Sequence, residues 1–400
     1  MPPLARLKPG HVRPVWTGHP WVYAQALERI EGGALKGDEI DVVDPKGQFL
    51  GRGFYSPSSA IPVRILSRKK DEALDAAFFR TRIAAAISLR HTLGLGLEAA
   101  NGKGQTTGYR LVHAEGDGVP GLIVDVFGDV CAVQLLTAGM AARAQLVCAA
   151  LMAELKPSAI LDRTPARAGE LEGFSVGRGL LAGTMPDALR FVENGLRYEL
   201  PLEIGQKTGY YFDQRALRAR VATLCKGKSV LDSYSFVGSF GMAAAHGGAL
   251  RVRSVDTNAV ALEVGAACAH LNGVSGPMEF VREDAKDALK AAHGAFDVVL
   301  VDPPRLASNK GGREAALAHY THLADLGARA TRAGGIFVLS SCSSAIGMSD
   351  LMRALAHGAI RANMDATVLE RHTQGADHPV PAAFPEGLYL KALIAKITPR

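Results

Sequence analysis

The sequence contains no run of about 18 or more apolar residues, the length a helix needs to cross a bilayer. No early stretch follows the charged, apolar and small-residue order of a secretory signal. Together these absences predict a cytoplasmic protein with no membrane partner. Cysteine is sparse: Cys131, Cys148, Cys225, Cys268 and Cys342 form no CxxC pair, so neither a disulfide framework nor a zinc site is indicated and no metal is expected. A GxGxxG run is also missing, which leaves the pyrophosphate cradle of a nicotinamide cofactor without support.

What is present is enough for several cores. Four hundred residues, 48% hydrophobic and 21% charged, are too many for one core and predict two or three domains. The net charge of +6, with a pI near 9.0, permits a polyanionic partner, as it also permits a merely soluble basic enzyme.

Residues 1–70 are rich in Gly, Pro and alternating apolar positions, with HPWVY near the start and DPKG between two strand-like runs; a small β-barrel is expected. Its end carries a basic cluster, Arg64, Arg68, Lys69 and Lys70, suited either to phosphates or to a solvated linker. From residue 71 the period changes. Ala77, Phe78, Ile83, Ala86, Ile87 and Leu89 fit one helix face, and strands return around GDG and FGD turns, which predicts a central α+β domain over 71–185. RFVENGLRYELPLE reads as a hairpin about Asn194-Gly195 and opens a third domain, 186–400. In GQKTGYYFDQR, Asp213 is placed to cap the helix that follows.

The third domain is organised around KSVLDSYSFVGSFGMAAA, residues 228–245. An apolar run reaches Asp232, a loop carries Gly238 and Gly241, and small helix formers follow, the first unit of a doubly wound sheet. VRSVD, MEFV, FDVVLV, GIFVLSS, DATVLER and LYLKALIAKI supply further strands, with helices expected over 259–271, 314–332 and from about Met348. This pattern predicts an α/β, seven-stranded Rossmann-like fold of the methyltransferase type, in which the fourth and fifth strands lie beside the first. Ligands of such sheets sit beyond the carboxyl ends of the strands, where Asp232, Asp256, Asp284, Asp302 and Cys342 all fall. An acid after the second strand suits the hydroxyls of a ribose, and one after the third suits the exocyclic amine of adenine. Each alone can equally cap a helix. As a set they imply an adenosine-bearing cofactor, and S-adenosylmethionine (SAM), which has no phosphate, fits best.

Asp302-Pro303-Pro304 resembles the Asp/Asn-Pro-Pro loop of methyltransferases acting on planar nitrogen bases, although such a run also simply opens loops. The acid can accept a hydrogen bond from an amino group of the target. With neighbouring strands roughly 4.8 Å apart, Cys342 and Asp302 can touch one flat ring, and a thiolate there can attack carbon 6 of cytosine and make carbon 5 nucleophilic. A lone strand-end cysteine is otherwise a small buried apolar group.

The ordered set GQKTGYYFDQR, VLDSYSFVGSFG, VDTNAVALEVGAACAHLNG, FDVVLVDPPR, SSCSS and GADHPVPAAFPEGLYLK resembles the RlmI-type family of 23S ribosomal RNA cytosine carbon-5 methyltransferases. The resemblance spans the chain, because that family carries an N-terminal PUA domain and a central α+β domain before a class I methyltransferase domain. It implies Cys342 as covalent nucleophile and Asp302 as base-orienting acid. It also implies a SAM pocket drawn from Gln214, Arg215, Tyr234, Gly238, Asp256, Asp284 and Asp302, a ribosomal RNA substrate, and a homodimer. Val237 and Ser239 depart from the family's glycine loop. Pro-Pro replaces the Pro-Cys of other RNA cytosine methyltransferases, so no second cysteine assists release; His378 and Glu386 are candidates for taking the carbon-5 proton. Methylation of a guanine amine, or a non-catalytic RNA-binding assembly role, are the alternative readings.

Overall fold

The computed structural model describes residues 2–96, 106–204, 208–306 and 310–400. Gly205, Gln206 and Lys207, the opening of the GQKTGYYFDQR motif, lie outside the described residues. The chain forms two compact units, Met1–Gly195 with Leu200–Phe212 and Ala376–Gly387, and Leu196–Glu199 with Asp213–Gly375 and Leu388–Arg400. Among the described residues, no helix is long and apolar enough to cross a membrane.

The first unit holds two sheets. Six strands between Leu4 and Ser67 form a curled sheet in the order Trp21–Val22, Val63–Ser67, Phe49–Tyr55, Glu39–Val43, Leu4–Leu7, Leu27–Glu31. The DPKG turn closes because Asp44 Oδ1 accepts the N–H groups of Lys46 and Gln48, each at 2.8 Å. A second, five-stranded sheet covers residues 108–183, and the helix Ala76–Thr92 packs Phe79 and Ile83 against its Leu111 and Val124. The expected helix face fails at both ends: Ala77 and Leu89 are exposed, whereas Arg90 is fully buried because Asp117 pairs with its guanidinium at 2.5 and 2.9 Å. The basic cluster also divides. Arg64 pairs with Glu172 at 3.1 Å, and Arg68 donates to the carbonyls of Val15, His19 and Leu50, so these two are structural; Lys69 and Lys70 are exposed.

The hairpin forms as expected, with Asn194 and Gly195 at φ 50° and 82°, the left-handed pair of a type I′ turn. Beyond it the second unit builds seven strands: β1 Ser229–Ser233, β2 Arg251–Asp256, β3 Met278–Arg282, β4 Phe296–Val301, β5 Thr331–Ser341, β6 Met364–His372 and β7 Lys391–Pro399. Their order is β3-β2-β1-β4-β5-β7-β6, with β7 antiparallel to β5 and β6 and the others parallel, the methyltransferase order. The helices are α1 Arg215–Ala222, α2 Ser239–His246, α3 Ala259–Leu271, α4 Ala285–Ala291, α5 Arg313–Ala330 and α6 Met348–Arg361.

Alternation sorts the core. Val299, Val301, Phe337, Leu339 and Leu393 pack with Leu323 and Leu355 of α5 and α6 on one face, and Val298, Leu300, Val338 and Ile394 with Val221 and Phe240 of α1 and α2 on the other. Both faces are covered, which is why FDVVLV and GIFVLSS are continuous apolar runs. Two local expectations fail. The helix expected to reach Arg332 ends at Ala330, and β5 begins at Thr331 with an irregular register, Phe296 facing Thr331 but Val298 facing Ile336. Asp213 does not cap α1: its Oδ2 accepts the Tyr389 hydroxyl at 2.7 Å, and α1 opens at Gln214 with no side-chain cap.

Candidate active site

The crevice starts from the turn between β1 and α2. Tyr234, Phe236 and Gly238 adopt φ of 61°, 53° and 69°, so the chain reverses abruptly within five residues of the strand. Asp232 fixes this turn from beneath, Oδ2 accepting the Gly241 N–H at 2.9 Å, and Asp256 from the side, accepting the N–H groups of Phe236 at 2.8 Å and Asn258 at 2.9 Å. Asp284 stands at the N-terminus of α4, where its side chain accepts from Lys286 N–H at 2.8 Å, a cap. Its charge still reaches Tyr234, whose hydroxyl is pushed up to about 12, by burial first and by Asp284 next.

All five strand-end residues expected at the crevice lie along the carboxyl-end edge of the sheet, since β1 to β5 run parallel. Asp232 is completely buried and its acidity is weakened to about 7; burial is the main cause, the Gly241 N–H opposes it, and the charges of Asp302 and Asp256 add to it. Three carboxylates thus share one field. Such a crevice favours a cation.

Asp302 follows β4 and Cys342 follows β5, and Val301 lies opposite Leu339 in that pair. Both are half-buried, and both act electrostatically on the hydroxyl of Tyr320, which is raised mainly by burial. Gln214, buried at the start of α1, donates from Nε2 to both oxygens of Asp302 at 3.0 Å. The opposite amide orientation would set an oxygen against the carboxylate, so the donor assignment is forced. A carboxylate offers about four lone-pair sites, so this grip is compatible with a ligand's amino group on the same acid. Pro303 is buried and offers no N–H to compete.

Buried polar atoms around this crevice, among them Gln214 Oε1, Ser235 Oγ and Ser254 Oγ, have no hydrogen-bond partner among the described residues. Orphaned atoms of this kind are rare without a ligand or water. Together with the left-handed turn and the three carboxylates, they fit an adenosine-bearing cation. Arg215, also assigned to the pocket by resemblance, is buried as the first residue of α1.

The other four cysteines are packing groups. Burial pushes the thiols of Cys131 and Cys225 up to about 12 and raises those of Cys148 and Cys268. His378 and Glu386 are engaged in the first unit, His378 buried against Asp377 at 3.1 Å with its ring 4.9 Å from that of His113, and Glu386 against His19 at 3.3 Å. The residue that sequence reasoning passed over is Lys391. Its Nζ, buried at the start of β7, donates to the carbonyls of Ser343 and Tyr389 at 2.7 Å. The available signal was a lysine inside the apolar run LYLKALIAKI.

Two family models match the chain: residues 5–68 match the PUA-like domain, and residues 176–382 match the S-adenosylmethionine-dependent methyltransferase. The chain is 36% identical over 399 residues to a protein named Ribosomal RNA large subunit methyltransferase I from Shewanella amazonensis, covering 98% of each. The chain belongs to this methyltransferase family. A relative of the same name from Yersinia pseudotuberculosis is 35% identical over 396 residues, again covering 98% of both chains. Among solved structures, a methyltransferase in complex with SAH superposes with a TM-score of 0.83 at 21% identity, over 99% of this chain and 100% of the other. A SAM-dependent methyltransferase from Streptococcus mutans gives 0.81 at 20%, with the same coverage. These likenesses establish the fold, and with the family match they make SAM the cofactor of this domain.

Proposed function

We propose that the protein methylates carbon 5 of a cytosine in large-subunit ribosomal RNA, with Cys342 as covalent nucleophile and Asp302 as the acid that orients the base. The observation that supports this most is the placement of Cys342 and Asp302 directly after neighbouring parallel strands, with Gln214 bound to both oxygens of Asp302. SAM, when bound, supplies an electrophilic methyl group carried on a sulfonium cation.

The chain's residues divide the work. Asp256 holds ribose hydroxyls, Asp284 and Tyr234 hold the adenine, and the turn at Gly238 lets the backbone approach closely; Gln214 and Arg215 close the pocket beside Asp302. Asp302 accepts a hydrogen bond from the cytosine amino group. The Cys342 thiolate adds to carbon 6, its lone pair forming the S–C bond while the carbon 5–carbon 6 pair moves onto carbon 5, which becomes the methyl acceptor. Once carbon 5 carries the methyl group, a base, water in the simplest case, takes the carbon-5 proton, and the C–H electron pair restores the double bond as the S–C bond breaks and the thiolate returns. The target must leave its stack to reach the thiolate. The relatives' name supports a ribosomal substrate. A cytoplasmic setting and a homodimer, read out by light scattering, complete the proposal.

The test incubates wild type and Cys342→Ala with labelled SAM and unmodified ribosomal RNA, then identifies the labelled nucleoside by mass spectrometry. The expected result is 5-methylcytidine from wild type only. A methylated guanosine insensitive to the substitution would make Cys342 a bystander and Asp302 the centre of amine methylation. A wild-type protein that binds no SAM by calorimetry would instead be an assembly factor.

A further inference from the structure

Lys391 has no part in the reaction steps above, yet it is buried beside them. It faces Ser341 across the antiparallel pair of β5 and β7, the residue immediately before Cys342. Two of its three ammonium hydrogens go to the carbonyls of Ser343, the residue immediately after Cys342, and of Tyr389. Carbonyl dipoles solvate an ammonium but do not neutralise it, and a buried charge is strongly unfavourable unless an opposite charge is close.

The surroundings supply few candidates for that opposite charge. Among the described residues, the ionisable groups that act on Lys391 are Cys342 and Asp350, which favour its charged form, and Arg305, which opposes it. Asp350 is already held by Arg313 at 2.5 Å and by the Gly347 N–H at 3.0 Å. Tyr320, whose hydroxyl lies 3.3 Å from Ser343 Oγ, is kept neutral by burial and brings no charge at neutral pH. Asp302, an acid that also acts on Tyr320, is bound by Gln214.

We propose that Lys391 is the counter-charge of the Cys342 thiolate, a positioning residue that keeps this cysteine ionised before it attacks the base and again when it leaves. The inference rests on the reading of Cys342 as nucleophile. Burial lowers the ammonium to about 8, so it is mainly charged at pH 7 and loses its proton as pH rises past 8. The support it gives the thiolate is therefore present below about pH 8 and fades above it.

The test measures the rate at which iodoacetamide alkylates Cys342 as a function of pH, in the full-length protein without RNA or SAM, locating the label by peptide mass spectrometry. Wild type, Lys391→Met, Lys391→Gln and Lys391→Arg are compared. The expected wild-type midpoint lies below the ordinary thiol value of about 8.5. Lys391→Met should raise the midpoint by about one pH unit, making the reaction at pH 7 roughly tenfold slower, while Lys391→Arg keeps it low. Lys391→Gln retains N–H donors for the two carbonyls without the charge, and should behave as Met does even if the Met variant folds poorly. A wild-type midpoint at or above about 8.5 overturns the proposal, and so does an unmoved midpoint in either neutral variant. A purely structural lysine would lower the melting temperature with no shift of the midpoint. Failure of the cytosine reading is separable, because it shows as methylation surviving Cys342→Ala, whereas the alkylation profile needs no substrate.

Discussion

Asp232 is a carboxyl group held where its charge is unfavourable. It is fully buried, has the Gly241 N–H as partner, and faces the charges of Asp302 and Asp256 with Arg218 as a weaker offset. The folded state retains the Asp232 proton up to about pH 7, whereas the unfolded chain releases it near 3.8. Between these values folding takes up a proton, so this residue's contribution to stability falls as pH rises and is level above about 7. Asp232→Asn removes the titration while keeping an acceptor for Gly241. Its stability relative to wild type is expected to climb from about pH 4 to about pH 7 and then stop. About three units at roughly 1.4 kcal/mol each set an upper limit of about 4 kcal/mol. Urea unfolding at four pH values measures the difference, and a difference constant with pH would mean that Asp232 is ionised throughout.

At the scale of elements, the turn between β1 and α2 decides whether the crevice exists. Gly238 is left-handed at 69°, and a Cβ there would lie 2.7 Å from Cε1 of Phe280 on β3. Gly238→Ala must accept both the backbone strain and a shift of that ring, together about 2–3 kcal/mol. The expected outcome is a lower melting temperature and at least tenfold weaker SAM binding by calorimetry. An unchanged affinity would remove this turn from the pocket. This glycine and the seven strands were legible in the sequence because their signals are local: the central strands FDVVLV and GIFVLSS, covered on both faces, are apolar runs, and each of the first five ends near an acid or Cys342. Contacts between distant segments left no such trace. Gln214 lies 88 residues from Asp302, and a resemblance that assigned it to the cofactor gave no hint that it grips the acid. Asp213 has the spacing of a helix cap, yet Tyr389 takes it. Lys391 occupies a position where alternation alone cannot distinguish a buried ammonium from a strand-edge lysine.

Over the whole molecule, charge is unevenly spread. Residues 1–70 hold eleven Lys and Arg against six Asp and Glu, so they carry +5 of the net +6. Much of that basic set is committed internally: Arg6 to Glu31, Arg52 to Asp41, Arg64 to Glu172, and Arg68 to main-chain carbonyls. Arg13, Lys69 and Lys70 are among those that remain exposed, and the Arg68 guanidinium, 2.7 Å from the Val15 carbonyl, ties the last two to the short helix Val12–Trp16 that carries Arg13. Trp16, three residues after Arg13, is 71% exposed. An accessible indole among cations suits an unpaired base and its phosphates. The two contributions separate by salt. Replacing Arg13, Lys69 and Lys70 together by Ala should weaken RNA binding most at low salt. It should also flatten the plot of log affinity against log salt, by about one unit of slope for each phosphate no longer neutralised. Trp16→Ala should weaken binding by about 1–3 kcal/mol at every salt concentration with the slope preserved. Filter binding of ribosomal RNA fragments at four salt concentrations reads both quantities. SAM affinity in the same variants should stay at the wild-type value, because none of these residues belongs to the methyltransferase unit. A slope that survives the triple substitution would move the RNA-binding surface off this face of the curled sheet.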